Sequence, residues 1–118
     1  MRERYDDVPS GVPGVQTLLP LGLKLVNNQR NSQRLVPLTR IQELLCEKPA
    51  EIAGLSTKGK IMVGYDADLI VLGDGEEMIT SKNMKSKANW TPFEGMIAPV
   101  PPVMVIVGGE VMINKLSA

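Results

Sequence analysis

The sequence predicts an α+β fold, with helices in residues 1–57 and strands in residues 58–118. Three observations carry that prediction. Ile41, Leu44 and Leu45 fall at i, i+3 and i+4, the spacing that lines one face of a helix. Beyond Lys58 this spacing gives way to short branched apolar runs bounded by glycine, as in Leu69 to Leu72 before Gly73-Asp74-Gly75. Gly108-Gly109 then separates the runs Val103 to Val107 and Val111 to Ile113, a pair suited to the tight turn of a hairpin. At 118 residues the chain is long enough for one core and too short for two ordinary domains.

Taken in order, Arg2 to Asp7 is polar and expected to be poorly ordered. Val8 to Gly14 holds two prolines and two glycines, the composition of a shaped loop. Ser10 and Gly14 are the candidates to start a helix over Val15 to Val26. Pro20 and Gly22 interrupt it, predicting a helix that is bent or split there and, from its leucine content, mostly buried. Asn27 to Gln33 reads as an exposed connection. Thr39 is a candidate N-cap, with Gln42 three residues on as in a capping box. Lys48 precedes Pro49 and should end that helix. Pro49 then opens a short one to Ala53, closed by Gly54 in the left-handed region. Lys60 to Val63 is a predicted strand, Gly64-Tyr65-Asp66 a turn, and Glu76 to Thr80 another short strand. Ser81 to Pro92 is polar and irregular around Trp90.

Composition narrows the function. Thirteen basic and 13 acidic residues cancel, which removes the electrostatic basis for binding nucleic acid or an anionic membrane. No apolar run approaches the roughly 20 residues that cross a bilayer, and the first residues are charged. A soluble, cytoplasmic protein is expected, and the single cysteine, Cys46, fits a reducing compartment. Aromatic content of 3% leaves the core to aliphatic side chains and 7 methionines. The chain has no histidine, the commonest metal ligand and the usual general base near neutral pH.

Three segments together resemble the dihydroorotases, within the amidohydrolase superfamily. Ser10-Gly11-Val12-Pro13-Gly14-Val15-Gln16-Thr17-Leu18-Leu19-Pro20-Leu21 is similar to the segment that follows the catalytic aspartate at the end of the last barrel strand. Lys48-Pro49-Ala50-Glu51-Ile52-Ala53-Gly54-Leu55, Lys58-Gly59-Lys60-Ile61 and Gly64-Tyr65-Asp66-Ala67-Asp68-Leu69-Ile70-Val71-Leu72 resemble the region where these enzymes leave the barrel for a small β domain. Thr91-Pro92-Phe93-Glu94-Gly95, with the later Gly108-Gly109, resembles their terminal motif. The Asp-Ala-Asp-Leu motif marks the wider superfamily, and the Pro-Gly segment with its Leu-Leu-Pro continuation favours dihydroorotase over hydantoinase or allantoinase.

The resemblance implies an α+β fragment: the terminal loop and helices of a (β/α)8 metal-dependent hydrolase barrel in 1–57, then the C-terminal part of a small β-sandwich in 58–118. It implies zinc in the full-length family, where a metal-bound hydroxide attacks a cyclic amide carbonyl and an aspartate shuttles the proton. Those ligands lie upstream of the matching segment, so no metal and no catalytic residue is assigned to this chain. Asp6 and Asp7 lack the family's surroundings for the catalytic aspartate. Pro13 and Gly14 are the substrate-binding candidates, since the backbone of that loop lies beside substrate in the family. The chain alone is expected to be inactive, its partner being the missing N-terminal barrel portion or a second copy of itself. A non-catalytic interaction module, and the tail of an allantoinase or dihydropyrimidinase, are the competing readings.

Other residues carry structural expectations. Asp66 and Asp68 read as caps of a tight turn that shield a strand end rather than as metal carboxylates. Cys46 reads as a small core residue, without a histidine to activate it. Trp90 and Phe93 read as anchors of a long loop, and Lys82, Lys85 and Lys87 as a solvated run.

Overall fold

In the computed structural model, which describes residues 9–26 and 36–116, three α-helices precede five strands. The expectations for Arg2 to Asp7 and for Asn27 to Gln33 lie outside the described residues.

Helix α1 spans Leu18–Val26. Its turn is set by Gly14 rather than Ser10: the Gly14 carbonyl accepts from the N–H groups of Thr17 (3.2 Å) and Leu18 (3.0 Å). Pro20 does not split the helix. It falls in the first turn, where its missing N–H has no acceptor to satisfy, and Leu21 bonds to the carbonyl of Thr17 at 3.0 Å. Nor is the helix mostly buried. Leu23 is buried, whereas Leu18 is 58% and Leu25 45% exposed, because one face packs on the rest of the chain and the others do not.

Helix α2 spans Leu38–Gln42 and runs without a break through a π-helical turn, Glu43–Glu47, into α3, Lys48–Ile52. Pro37 takes the N-cap position, with extended φ and ψ of −69° and 149°, so the expected capping box of Thr39 and Gln42 is not formed. Gln42 instead donates its side-chain N–H to the carbonyl of Gly59 at 2.7 Å. The helix also does not end at Lys48, which keeps helical angles. A proline removes one helical donor and crowds the carbonyl four residues back, here that of Leu45. The π turn answers this by widening the coil just ahead of Pro49, with Lys48 N–H bonding to the carbonyl of Glu43, five residues away. Gly54 closes the helix as expected, at φ 70°. Its N–H bonds to Glu51 and that of Leu55 to Ala50, the paired bonds of a Schellman end.

The strands are β1 (Leu69–Val71), β2 (Glu76–Met78), β3 (Ile97–Pro99), β4 (Met104–Val107) and β5 (Glu110–Asn114). The predicted strand at Lys60 to Val63 is absent: Ile61 and Val63 are almost fully exposed and pair with no strand among the described residues. Strand β3 was not anticipated from the sequence. Strands β1, β4 and β5 form one antiparallel sheet in the order β1-β4-β5, and β2 pairs with β3 in a second. Gly108 and Gly109 turn the β4–β5 hairpin with φ of 57° and 86°, values that favour glycine at both positions. The register shifts between Val105 and Ile106, leaving Met112 as the extra residue of a bulge.

The core is small. Leu23, Ile41, Ala50, Ile79 and Ala98 are its buried apolar residues among those described, with Thr17 and Thr91 buried beside them. Helix α1 lies between α2 and β3 and joins the helical part to the smaller sheet. Among the described residues, no helix is long and apolar enough to cross a membrane.

Candidate functional site

An apolar groove of about 1190 Å³ runs between α1, α2 and the β2–β3 pair. Leu18, Leu21 and Leu25 of α1 face it from one side, Ile41, Leu44 and Leu45 from another, and Phe93, Met96 and Ile97 from the third. Lys24, Asp74 and Glu76 are the ionisable residues on its described walls. The rest of the described wall is largely apolar, and it includes no histidine or cysteine.

Of the two substrate-binding candidates, one borders this groove directly. Gly14 lines it, and Pro13 precedes it in the chain, half-buried. A Cβ added at Gly14 would meet nothing within 4 Å, so the space beside its backbone is open. The Gly14 carbonyl is bound on the inner side by Thr17 and Leu18 and also receives the Thr17 hydroxyl at 3.2 Å. Thr17 is only 2% exposed. Among the described residues, the N–H groups of Gly14, Val15 and Gln16 donate to no protein acceptor.

Two residues of this region were missed in the sequence reading. Thr17 is one; a threonine three residues after a turn glycine is the available signal, since its short hydroxyl reaches back to that carbonyl. Gln16 is the other. Its side chain bonds to the backbone of Asn83 and Lys85, and a partner so distant in sequence leaves no local pattern to read.

Asp66 and Asp68 are not grouped for a metal. Both face the ammonium of Lys58, at 3.1 Å for Asp66 and as a close ion pair for Asp68. Asp66 also accepts from the Thr57 hydroxyl at 3.1 Å, and Asp68 from the backbone N–H of Gly108 at 2.8 Å. Lys58 is accordingly held above its ordinary pKa by Asp68 and then Asp66. Asp68 is held below its own by Lys58 and then by the Gly108 N–H. Cys46, expected in the core, is exposed on the π turn, because the stripe of Ile41 and Leu45 is what faces α1. Trp90 and Phe93 are half-buried, and Lys82, Lys85 and Lys87 are exposed.

The zinc that the resemblance implies does not fit the residues present. The chain has no histidine, its one cysteine is solitary, and its Asp pair is bound to a lysine. No cluster of three or more His, Cys, Asp or Glu that could hold an ion occurs among the described residues.

Residues 6–112 match the amidohydrolase family. The chain is 42% identical over 109 residues to the dihydroorotase of Methanothermobacter thermautotrophicus, covering 92% of this chain and 24% of that protein. It is 36% identical over 108 residues to the L-hydantoinase of Paenarthrobacter aurescens, covering 90% and 23%. Among solved structures it superposes on the D-hydantoinase (dihydropyrimidinase) of a Thermus species with a TM-score of 0.80 at 28% identity, covering 94% of this chain and 24% of that one. On the L-hydantoinase (dihydropyrimidinase) of Arthrobacter aurescens the TM-score is 0.76 at 35% identity, covering 92% and 24%. The chain thus spans about a quarter of the length of the relatives it matches. It belongs to the amidohydrolase family.

Proposed function

We propose that this chain is the C-terminal segment of a dihydroorotase-type cyclic amidohydrolase, which interconverts dihydroorotate and N-carbamoyl-L-aspartate in pyrimidine synthesis. The observation that carries this reading is the likeness to the Methanothermobacter dihydroorotase over nearly the whole chain. In this role residues 1–57 supply the terminal loop and helices of a barrel and residues 58–118 part of a small sandwich. The chemistry belongs to residues outside the chain. Its own contribution is to present the Pro13–Gly14 backbone to the substrate and to support the barrel from behind.

The exposed apolar surface supports this reading. Val12, Leu18, Leu25 and Leu44 beside the groove, and Ile61 and Val63 where no strand forms, are at least 45% exposed. Surfaces of that extent are covered in a working assembly. We take the missing barrel as the cover, in preference to self-association.

The test is complementation. The chain is co-expressed with the Methanothermobacter dihydroorotase from which the matched quarter has been deleted. Dihydroorotate hydrolysis restored in the zinc-loaded complex is the expected result, with no turnover by the chain alone. Turnover by the isolated chain, or no activity from a complex that forms, overturns the reading.

The Paenarthrobacter likeness and the two solved hydantoinases favour a second reading, a segment of a hydantoinase or dihydropyrimidinase. Restoration of the correspondingly truncated L-hydantoinase, and not of the dihydroorotase, would select it.

A further inference from the structure

Gln16 joins two segments that are distant in sequence. Its Nε2 donates to the carbonyl of Asn83 at 2.9 Å, 67 residues away, and its Oε1 accepts from the N–H of Lys85 at 2.8 Å. A carboxamide offers a donor and an acceptor from one planar head, which suits a backbone carbonyl and a backbone N–H two residues apart. The segment it grips is fixed at its base. Glu94 accepts from both the N–H (2.6 Å) and the hydroxyl of Ser81, closing the loop that contains Asn83 and Lys85. On the other side, Gln16 lies two residues beyond Gly14, inside the turn whose carbonyl is already held by Thr17 and Leu18.

We propose that Gln16 is a positioning residue for the Pro13–Gly14 turn: its carboxamide ties that turn to the Asn83–Lys85 backbone and so fixes where the turn stands beside the groove. The inference rests on the reading of Pro13–Gly14 as a substrate contact in a dihydroorotase-type enzyme. Gln16 is exposed, so shortening it opens no cavity in the core. Its loss is felt as a displaced turn rather than as an unfolded chain. A small misplacement of a binding group weakens substrate capture without altering the reacting residues.

Two measurements test this, one on the chain and one on the complemented enzyme. In the 118-residue chain, Gln16→Ala is expected to speed hydrogen exchange at the Lys85 amide about tenfold, because its acceptor is gone. In the complemented enzyme the same variant is expected to raise KM for dihydroorotate about tenfold while kcat stays within about twofold. Gln16→Glu keeps the acceptor for Lys85 and loses the donor to Asn83, so its KM falls between wild type and Gln16→Ala. Unchanged exchange at Lys85 overturns the clamp. Faster exchange with unchanged KM overturns the positioning role and leaves the dihydroorotase reading intact. A wild-type complex inactive on dihydroorotate overturns that reading, and this inference with it.

Discussion

Asp68 and Gly108 lie 40 residues apart in sequence, and the carboxylate of Asp68 accepts the backbone N–H of Gly108 at 2.8 Å. The bond stitches the entry to β1 onto the turn of the β4–β5 hairpin. Beside it, Gly109 N–H bonds to the carbonyl of Ala67 at 3.0 Å. Lys58 closes the arrangement from the far side of the Asp-Ala-Asp-Leu motif. These bonds give both carboxylates structural partners.

Substitution at Asp68 separates its two bonds. Asp68→Ala removes the bond to Lys58 and leaves the Gly108 N–H to water, whereas Asp68→Asn keeps an acceptor for Gly108 and turns the oxygen facing Lys58 into an NH2, so only the ion pair is lost. The expected order of urea midpoints is wild type, then Asp68→Asn, then Asp68→Ala, with m unchanged. Equal midpoints for the two variants would mean that the bond to Gly108 contributes nothing.

This cluster and the ion pairs along the α2–α3 helix give the stability a pH dependence on both flanks. Asp68 is held below its ordinary value of 3.8 by Lys58 and Gly108, and Glu43 below 4.5 by Arg40. A depressed carboxylate stabilises the fold above its unfolded pKa, and that contribution is lost as pH falls through the folded value. Lys58, Lys60 and Lys48 are held above 10.5 by Asp68, Glu47 and Glu51 respectively. Their contribution is complete below the unfolded pKa and disappears as pH rises through the raised one. All of these pairs are exposed, so each slope is shallow and screened by salt. Urea midpoints against pH should show a broad neutral plateau falling at both ends, with Asp68→Asn flattening the acid limb and part of the alkaline one.

Much of this fold was legible because its signals are local. Gly108-Gly109 announces a two-residue hairpin loop, and Gly54 after Ala53 announces a helix end, since each needs a backbone conformation that glycine adopts freely. The Pro13–Gly14 loop could be located, and its motifs pointed to the family. Signals that compete with another were misread. Pro20 looked like a break but falls in a first turn, and Lys48 before Pro49 looked like a stop but stays helical after the π turn. Features that depend on distant partners were out of reach. Strand β3 contains Pro99 and only three residues, and it exists because Glu77 and Ala98 stand opposite one another. The hydrogen bonds of Gln16 follow the same rule.

Gly59 and Gly54 both have positive φ, 89° and 70°, yet they should respond differently to alanine. A Cβ at Gly54 meets nothing within 4 Å, so Gly54→Ala costs only the left-handed conformation, about 1 kcal/mol. At Gly59 it would lie 2.8 Å from the Cys46 carbonyl oxygen and 2.9 Å from the Ala50 Cβ. Backbone there cannot yield without moving the π turn away from the segment that Gln42 and Glu47 grip. Gly59→Ala is therefore expected to cost about 2–3 kcal/mol. Urea titration of the two variants decides it, and a Gly59→Ala cost no larger than that of Gly54→Ala would show that the loop relaxes.

Gly22 reverses the usual expectation for a glycine that looks like a break. It lies inside α1, where glycine is the weaker helix former, and its φ is not positive. A Cβ placed on it would come 3.4 Å from the Leu45 Cδ1 and 3.6 Å from the Ile41 Cγ2, ordinary packing distances on the wall of the groove. Gly22→Ala thus restores helix propensity and adds a methyl contact between α1 and α2 without a clash. It is expected to stabilise the chain by about 0.5–1 kcal/mol. A bulkier Gly22→Leu would drive the helices apart and reverse the sign. Matched urea midpoints for the two variants test the claim, and a destabilised Gly22→Ala would show that the approach of α1 to α2 is closer than these distances allow.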